Sequence, residues 1–316
     1  MISVVIPLYN KASSIVKTID SVLAQTLSEW ELIVIDDGSS DNGPHLVAAY
    51  TDPRVRLIKQ TNAGVSAARN KGAELASNEI VAFLDADDYW DPAHLANLNT
   101  LITKFPEAVF YATAFSVVEE DGSIRKIRVR NEGQAPEQLL MKDYFAEVLE
   151  VERPVQVSSF AVKKGMLAKV GGFPIGITSG EDIITLSRLA CTGDLAYSKI
   201  ATAYYVLPPV SFEKRSRIIR QPQKPDYVGI ELKKLRAASP RFEASLTLFL
   251  ADWCRIRSMI FLELNERRDS LAELWRAIRL DGVTLKDVVC CGLLALPPGL
   301  RALALTRIRK IRGSGV

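Results

Sequence analysis

Hydrophobic and polar positions along the first part of the chain alternate between two periods. Ile2 to Ile6 is a short apolar run stopped by Pro7, which predicts a strand covered on both faces. Ile15, Ile19, Val22 and Leu23 then recur at helical spacing, with Ser13 or Ser14 placed to cap the start. Leu32 to Ile35 makes a second apolar strand running into Asp36, Asp37, Gly38 and Ser39, and Val55 to Ile58 makes a third. An alanine-rich helical stretch from Val65 to Ala76 leads to a fourth strand, Ile80 to Leu84, which ends at Asp85. Strands alternating with helices predict an α/β fold, a mostly parallel, doubly wound sheet with right-handed crossovers. Ligands of such sheets gather at the carboxyl ends of the strands, and here those ends carry Pro7 to Asn10, Asp36 to Ser39 and Asp85 to Asp88.

After residue 213 the pattern changes. Lys214 to Arg220 is basic, and Gln221-Pro222-Gln223-Lys224-Pro225 reads as an extended linker. Leu246, Phe249, Leu250, Trp253, Ile256 and Ile260, then Leu271, Leu274, Trp275 and Ile278, recur at helical spacing and predict a small bundle. Val288 to Leu296 is apolar but too short to span a bilayer, and Pro297-Pro298 interrupts it. Leu300, Leu303, Ala304, Ile308 and Ile311 then share one helical face, while Arg301, Arg307, Arg309, Lys310 and Arg312 add positive charge with no acid after residue 300. A basic amphipathic helix of this kind can lie on an anionic membrane surface; a solvated tail or a helix docked on the bundle are the competing readings. The organisation expected is therefore 1–213 as an α/β domain, 214–228 as linker and 229–316 as a helical extension with a basic tail.

Composition narrows the chemistry. The 316 residues carry 40 basic and 37 acidic side chains, a net charge of +3, which excludes the dense basic footprint of a dedicated nucleic-acid binder. With 48% hydrophobic and 24% charged residues the chain is ordinary globular material. His45 and His94 are the only histidines, and Cys191, Cys254, Cys290 and Cys291 have no C-x-x-C spacing, so zinc clusters and Ser/His/Asp hydrolysis are unattractive and carboxylates must carry most of any catalysis. The cysteines read as small buried hydrophobes in a reducing compartment. No secretion signal and no spanning helix are read, which predicts a cytoplasmic protein. Asp85, Asp87 and Asp88 repel one another unless a cation neutralises them, and a histidine-free oxygen site suits Mn²⁺ or Mg²⁺.

Taken in order, Ser3 to Lys11 (SVVIPLYNK), Asp36 to Asp41 (DDGSSD), Asn62 to Gly72 (NAGVSAARNKG), Leu84 to Asp88 (LDADD), and then Gly171-Gly172-Phe173 with Gly180-Glu181-Asp182, resemble the successive motifs of inverting family 2 glycosyltransferases of the GT-A fold, of the kind that build bacterial surface polysaccharides. The resemblance covers about residues 1 to 212 and implies a metal-dependent transferase using a nucleotide-sugar donor, usually a UDP-sugar, and a saccharide acceptor. Pro7, Tyr9, Asn10, Asp37, Asn62, Arg69, Asp85 and Ala86 would line the nucleotide. Within that set, Tyr9 stacks near the base, Asp37 reads its edge, Arg69 holds the nucleotide and Asp85 lies beside the ribose. Asp87 would ligate the cation bridging the diphosphate. Asp182 is the implied base that deprotonates the acceptor hydroxyl, with Glu181 orienting the site; by spacing alone Asp182 reads equally as the cap of the helix carrying Ile183, Leu186, Leu189 and Ala190.

Residues 131–157 are expected over the donor site as a mobile acceptor segment. Ser158 and Ser159 fall where relatives face the donor sugar, or else fill a buried strand. The chain lacks the tryptophans that many relatives carry after the Glu-Asp pair, and the histidine after the last core strand, which Ala203 to Leu207 predicts here. Either Glu213 supplies an oxygen ligand or the site has one protein ligand fewer. The Q-x-x-R-W pattern of processive synthases is absent, favouring single addition. On the cytoplasmic face of a membrane such a protein would meet a polyprenyl-linked saccharide. The alternative of a different class is an inactive nucleotide-sugar-binding module that scaffolds a membrane assembly.

Overall fold

The computed structural model describes residues 1–129, 136–150, 153–207, 221–297, 299–301, 303–305 and 307. The chain divides into two compact units, Met1–Pro209 and Val210–Val316. Among the described residues the first is built on a ten-stranded sheet whose main path orders the strands at 55–59, 30–36, 2–8, 80–83, 160–163, 110–118, 195–206 and 89–90. Its first part is the predicted parallel half: β1 (Ile2–Leu8), β2 (Trp30–Asp36), β3 (Val55–Lys59) and β4 (Ile80–Phe83), joined through α1 (Ile15–Leu23), α2 (Gly43–Ala48) and α3 (Val65–Leu75). β1 is flanked by β2 and β4 and every one of its residues is buried, the physical origin of its apolar run.

Two local expectations are corrected here. Pro7 does not stop β1, which continues to Leu8, because β4 pairs only as far as Phe83 opposite Val5 and the proline has a neighbour on one side only. Ser14 occupies the N-cap position of α1 without making a side-chain capping bond. Its hydroxyl is used elsewhere.

The second part of the sheet is mixed. It contains β5 (Tyr89–Trp90), β6 (Phe110–Val118), β7 (Ile124–Lys126), β8 (Gln138–Met141), β9 (Phe160–Lys163) and β10 (Leu195–Val206), with α4 (His94–Lys104), α5 (Tyr144–Glu150), α6 (Lys164–Lys169) and α7 (Glu181–Thr192) between them. β9 runs antiparallel between β4 and β6, whereas β6 and β10 are parallel. The rings of Phe83, Phe160 and Phe173 meet with centroids 5.1 to 6.4 Å apart, so β4, β9 and the loop before α7 share one core. The segment expected as a mobile flap is in good part regular: β8 pairs with β10, and Tyr144, Phe145 and Val148 of α5 are buried. Residues 131–135 and 151–152 of it lie outside the described residues.

The second unit comprises α8 (Tyr227–Ala238), α9 (Glu243–Glu263), α10 (Arg267–Asp281) and α11 (Leu285–Ala295). α8 starts inside the stretch read as linker, with the Asp226 side chain accepting from Gly229 N–H. The helices sit where the apolar period placed them, but the buried stripe of α10 is Ser270, Glu273, Leu274 and Ala277, while Leu271 and Trp275 are exposed. The reason is polar pairing: Arg257 of α9 donates to Glu273 at 3.0 Å and Ser258 Oγ to the Ser270 carbonyl at 2.9 Å, which turns α10 away from its apolar edge. In the tail, Arg301 and Leu305 face inward, Arg301 donating to Asn265, while Leu300 and Leu303 are exposed. The face predicted from Leu300, Leu303 and Ala304 is thus rotated; Ile308, Ile311, Arg309, Lys310, Arg312 and Glu213 lie outside the described residues. Among the described residues no helix is long and apolar enough to cross a membrane.

Candidate active site

The acidic loop after β4 is tied down from two sides. Ser14 Oγ donates to the Ala86 carbonyl at 2.8 Å, and Thr18 Oγ1 reaches the carbonyls of Ala86 and Asp88 at 3.0 and 2.8 Å. Opposite them, the buried Asp88 carboxylate accepts from Ser158 Oγ at 2.5 Å, Gln156 Nε2 at 3.0 Å and the Val206 amide at 2.9 Å. Burial first, then the neighbouring Asp85 charge, push the Asp88 carboxyl up to about 8, against the pull of the Ser158 and Val206 donors. Asp88 therefore fastens the loop to the end of β10 and to the turn before β9. Ser158 also accepts from the Asp85 amide at 3.0 Å and is fully buried, and the equally buried Ser159 donates to the Gln156 carbonyl. Both serines take the buried structural reading rather than facing a donor sugar.

Arg69 joins the two halves of the sequence. Its guanidinium, 4% exposed, donates to Asp85 Oδ1 at 2.7 Å and to Glu181 Oε1 at 3.2 Å, and its carbon lies 5.2 Å from the Phe173 ring centre. Burial opposes the Arg69 charge, but Asp85 and Glu181 outweigh it and raise its pKa. Glu181 is raised by burial and then by Asp182, with Arg69 pulling the other way. Glu181 is thus paired with Arg69 at the start of α7. The next residue, Asp182, turns one oxygen onto the Ile183 amide at 2.8 Å, an orphan donor of the first helical turn.

The nucleotide set falls on adjoining loops. Pro7 is buried in β1, Tyr9 just beyond it is 50% exposed, and Asn10 at φ 52° accepts from the Ser40 amide at 2.8 Å. Asp37 is buried and accepts from Gln60 Nε2, Ala63 N–H and Gly64 N–H, each at 2.8 Å, so it shapes the loop that carries the exposed Asn62. Gly38 has φ +75°, and a Cβ there would stand 3.1 Å from Asn62 N, so the close approach of these loops requires glycine. Lys11 connects this group to the acidic loop: its Nζ lies 2.5 Å from Asp87 Oδ2.

Three residues of the site were not singled out from the sequence: Lys11, Gln156 and Tyr205. Lys11 lies within the first motif, but its partner is distant in the chain. Tyr205, near the end of β10, is raised by burial and then by Asp88, Asp87, Asp85 and Asp182, so its phenol stands in the field of both the acidic loop and the head of α7. No local signal marks it. Among the described residues no three His, Cys, Asp or Glu side chains surround a common point. Asp87, accessible and already drawing a cationic side chain, is the carboxylate of this loop that could hold a divalent ion.

Residues 3–162 match the family model described as Glycosyl transferase family 2. The chain belongs to glycosyl transferase family 2. Among its curated relatives, UDP-Glc:alpha-D-GlcNAc-diphosphoundecaprenol beta-1,3-glucosyltransferase WfgD of Escherichia coli is 43% identical over 91 residues, 28% of this chain and 36% of the relative. Putative teichuronic acid biosynthesis glycosyltransferase TuaG of Bacillus subtilis is 35% identical over 127 residues, 39% of this chain and 50% of the relative. The aligned part spans 30% and 36% of the relatives YibD and WfgD of Escherichia coli, about a third of their length. A crystal structure of S. aureus TarS in complex with UDP-GlcNAc superposes with a TM-score of 0.64 at 18% identity, covering 93% of this chain and 90% of that one. This family 2 chain therefore has the GT-A fold with a C-terminal helical region.

Proposed function

We propose that the protein is an inverting, metal-dependent glycosyltransferase that moves a sugar from a nucleotide donor, a UDP-sugar, to a hydroxyl of a saccharide. The observation that carries this reading is Arg69, which holds Asp85 of the acidic loop and Glu181 at the head of α7 on one guanidinium. The strand-end loop that carries Asp87 and the helix start that carries Asp182 are thereby tied together through their neighbours Asp85 and Glu181. The half-exposed Tyr9 offers a face to a base, and Asp37 with Asn62 bounds its edge. Asp182, beside the paired Glu181, accepts the proton of the attacking hydroxyl through the oxygen not turned to Ile183, and direct displacement inverts the anomeric carbon. A cation held by Asp87, Mn²⁺ or Mg²⁺, would offset charge on the departing diphosphate. Arg69 and Glu181 orient these groups rather than exchange protons.

The likeness to WfgD, a UDP-Glc:alpha-D-GlcNAc-diphosphoundecaprenol glucosyltransferase, supports a UDP-sugar donor and an acceptor on a polyprenyl diphosphate. Attachment to the cytoplasmic face of a membrane is supported by the second unit, where Leu285, Val288 and Val289 of α11 are 46 to 79% exposed. From residue 285 onward the sequence has six bases against one acid, Asp287, which is buried and paired with Arg255. Asp182→Asn is expected to keep donor binding and lose transfer by about 10²- to 10⁴-fold, checked by calorimetry and product formation. Undiminished transfer would exclude Asp182 as the base. Transfer or donor hydrolysis that depends on Asp182 also excludes the inactive-module alternative.

A further inference from the structure

We propose that Lys11 is a counter-cation built into the Asp87 site, which holds this carboxylate until a nucleoside diphosphate and a divalent cation arrive together. The inference rests on the transferase reading above and adds to it a reason for the two ligands to bind as a pair.

Three observations lead there. First, the Lys11 ammonium lies 2.5 Å from Asp87 Oδ2, and the two side chains are 42% and 37% exposed, so a ligand can reach both partners. Second, the other two carboxylates of the loop are already satisfied: Asp85 by the buried Arg69, and Asp88 by Ser158, Gln156 and Val206. Asp87 is the acid of this loop whose charge is met by a partly exposed lysine. Third, both backbones are fixed. The Lys11 carbonyl accepts from the amides of Ser14 and Ile15 at 3.1 and 3.0 Å, and the Ala12 amide donates to Asp41 at 2.8 Å. On the other side, Ala86 and Asp88 are held by Ser14 and Thr18. With both backbones held in this way, the exchange at Asp87 that the proposal needs is a swing of the lysine side chain.

The consequence is electrostatic. A divalent cation arriving alone must displace the ammonium and then sit close to an unpaired positive charge. A diphosphate arriving alone finds the cationic group already engaged by Asp87. When both arrive, the ammonium moves to a phosphate oxygen, the cation takes Asp87, and every charge has a partner. Lysine suits this exchange, being a compact point charge with three donors on a flexible stem. Lys11 therefore makes metal and nucleotide binding reciprocal, each strengthening the other.

The test is Mn²⁺ binding, read by the loss of the free Mn²⁺ electron paramagnetic resonance signal, on the full chain with and without UDP. Wild type, Lys11→Met, Lys11→Gln and Asp87→Asn are compared after their melting curves confirm folding. In the wild type UDP is expected to tighten Mn²⁺ binding by about tenfold or more. In both Lys11 variants Mn²⁺ alone should bind about tenfold more tightly than to wild type, and the enhancement by UDP should shrink accordingly. If the Lys11 variants match wild type in both conditions while Asp87→Asn loses Mn²⁺, the Lys11 proposal fails and the metal assignment stands. If no protein binds Mn²⁺ even with UDP, the metal assignment itself fails and this inference with it.

Discussion

Arg69 and His94 show what single residues add. Arg69 stands inside a recognisable motif, yet nothing near it in sequence says that its two partners are Asp85 and Glu181, the second of them 112 positions away. A guanidinium serves both because its donors are spread in a rigid fork; an ammonium cannot span the same two acids. Arg69→Lys is therefore expected to lower kcat at least tenfold and to lower the melting temperature, measured by steady-state transfer and calorimetry. His94 was notable only for its rarity. It is fully buried, stacked on Trp90 with centroids 4.3 Å apart, and its Nδ1 lies 2.9 Å from Thr202 Oγ1. Burial lowers its pKa to about 3. The unfolded chain, with an ordinary histidine near 6.5, then binds the proton that the folded protein excludes, so the His94 contribution is fully present above about pH 6.5 and is lost as pH falls toward 3. At pH 5 the loss is about 2 kcal/mol, and His94→Gln should remove that part of the slope in urea unfolding followed from pH 7 to pH 5.

At the scale of elements, periodicity located the strands and helices because burial on a two-faced sheet or one helix face imposes it. It failed where polar pairs decide which face turns inward. On α10 the apolar edge Leu271 and Trp275 is outside because Arg257–Glu273 and Ser258–Ser270 pair across the interface with α9. Hydroxyls follow the same rule: Ser14 bonds to the acidic loop rather than capping its own helix, and Ser158, open between two readings in the sequence, bonds to that loop as well. Ser158→Ala leaves the buried Asp88 with one donor fewer and is expected to cost about 1 to 3 kcal/mol in denaturant unfolding. Close packing gives a second check on this layer. A methyl group added at Gly72 of α3 would overlap the Val5 side chain on β1. Gly72→Ala should therefore destabilise by about 1 to 3 kcal/mol, despite alanine's better helix propensity.

At the scale of the molecule, the second unit presents a helix face that its own core does not cover. Leu285, Val288 and Val289 are exposed on α11, while Leu293 and Leu294 pack with Leu262, Leu274, Cys290 and Leu305. Replacing both Val288 and Val289 by Glu should abolish flotation with anionic vesicles while leaving UDP binding unchanged; equal flotation would place membrane contact elsewhere. By itself the sequence determined the α/β layering, the strand-end loops that carry the candidate site and the family, because apolar period, strand-end acids and ordered motifs are local properties of the chain. Tertiary structure alone decided that Arg69 bridges Asp85 and Glu181, that Lys11 meets Asp87, and that Asp88 is buried under three donors. Those are pairings between charges far apart in the chain, and their partners are set by how strands are ordered in the sheet, which no local pattern encodes.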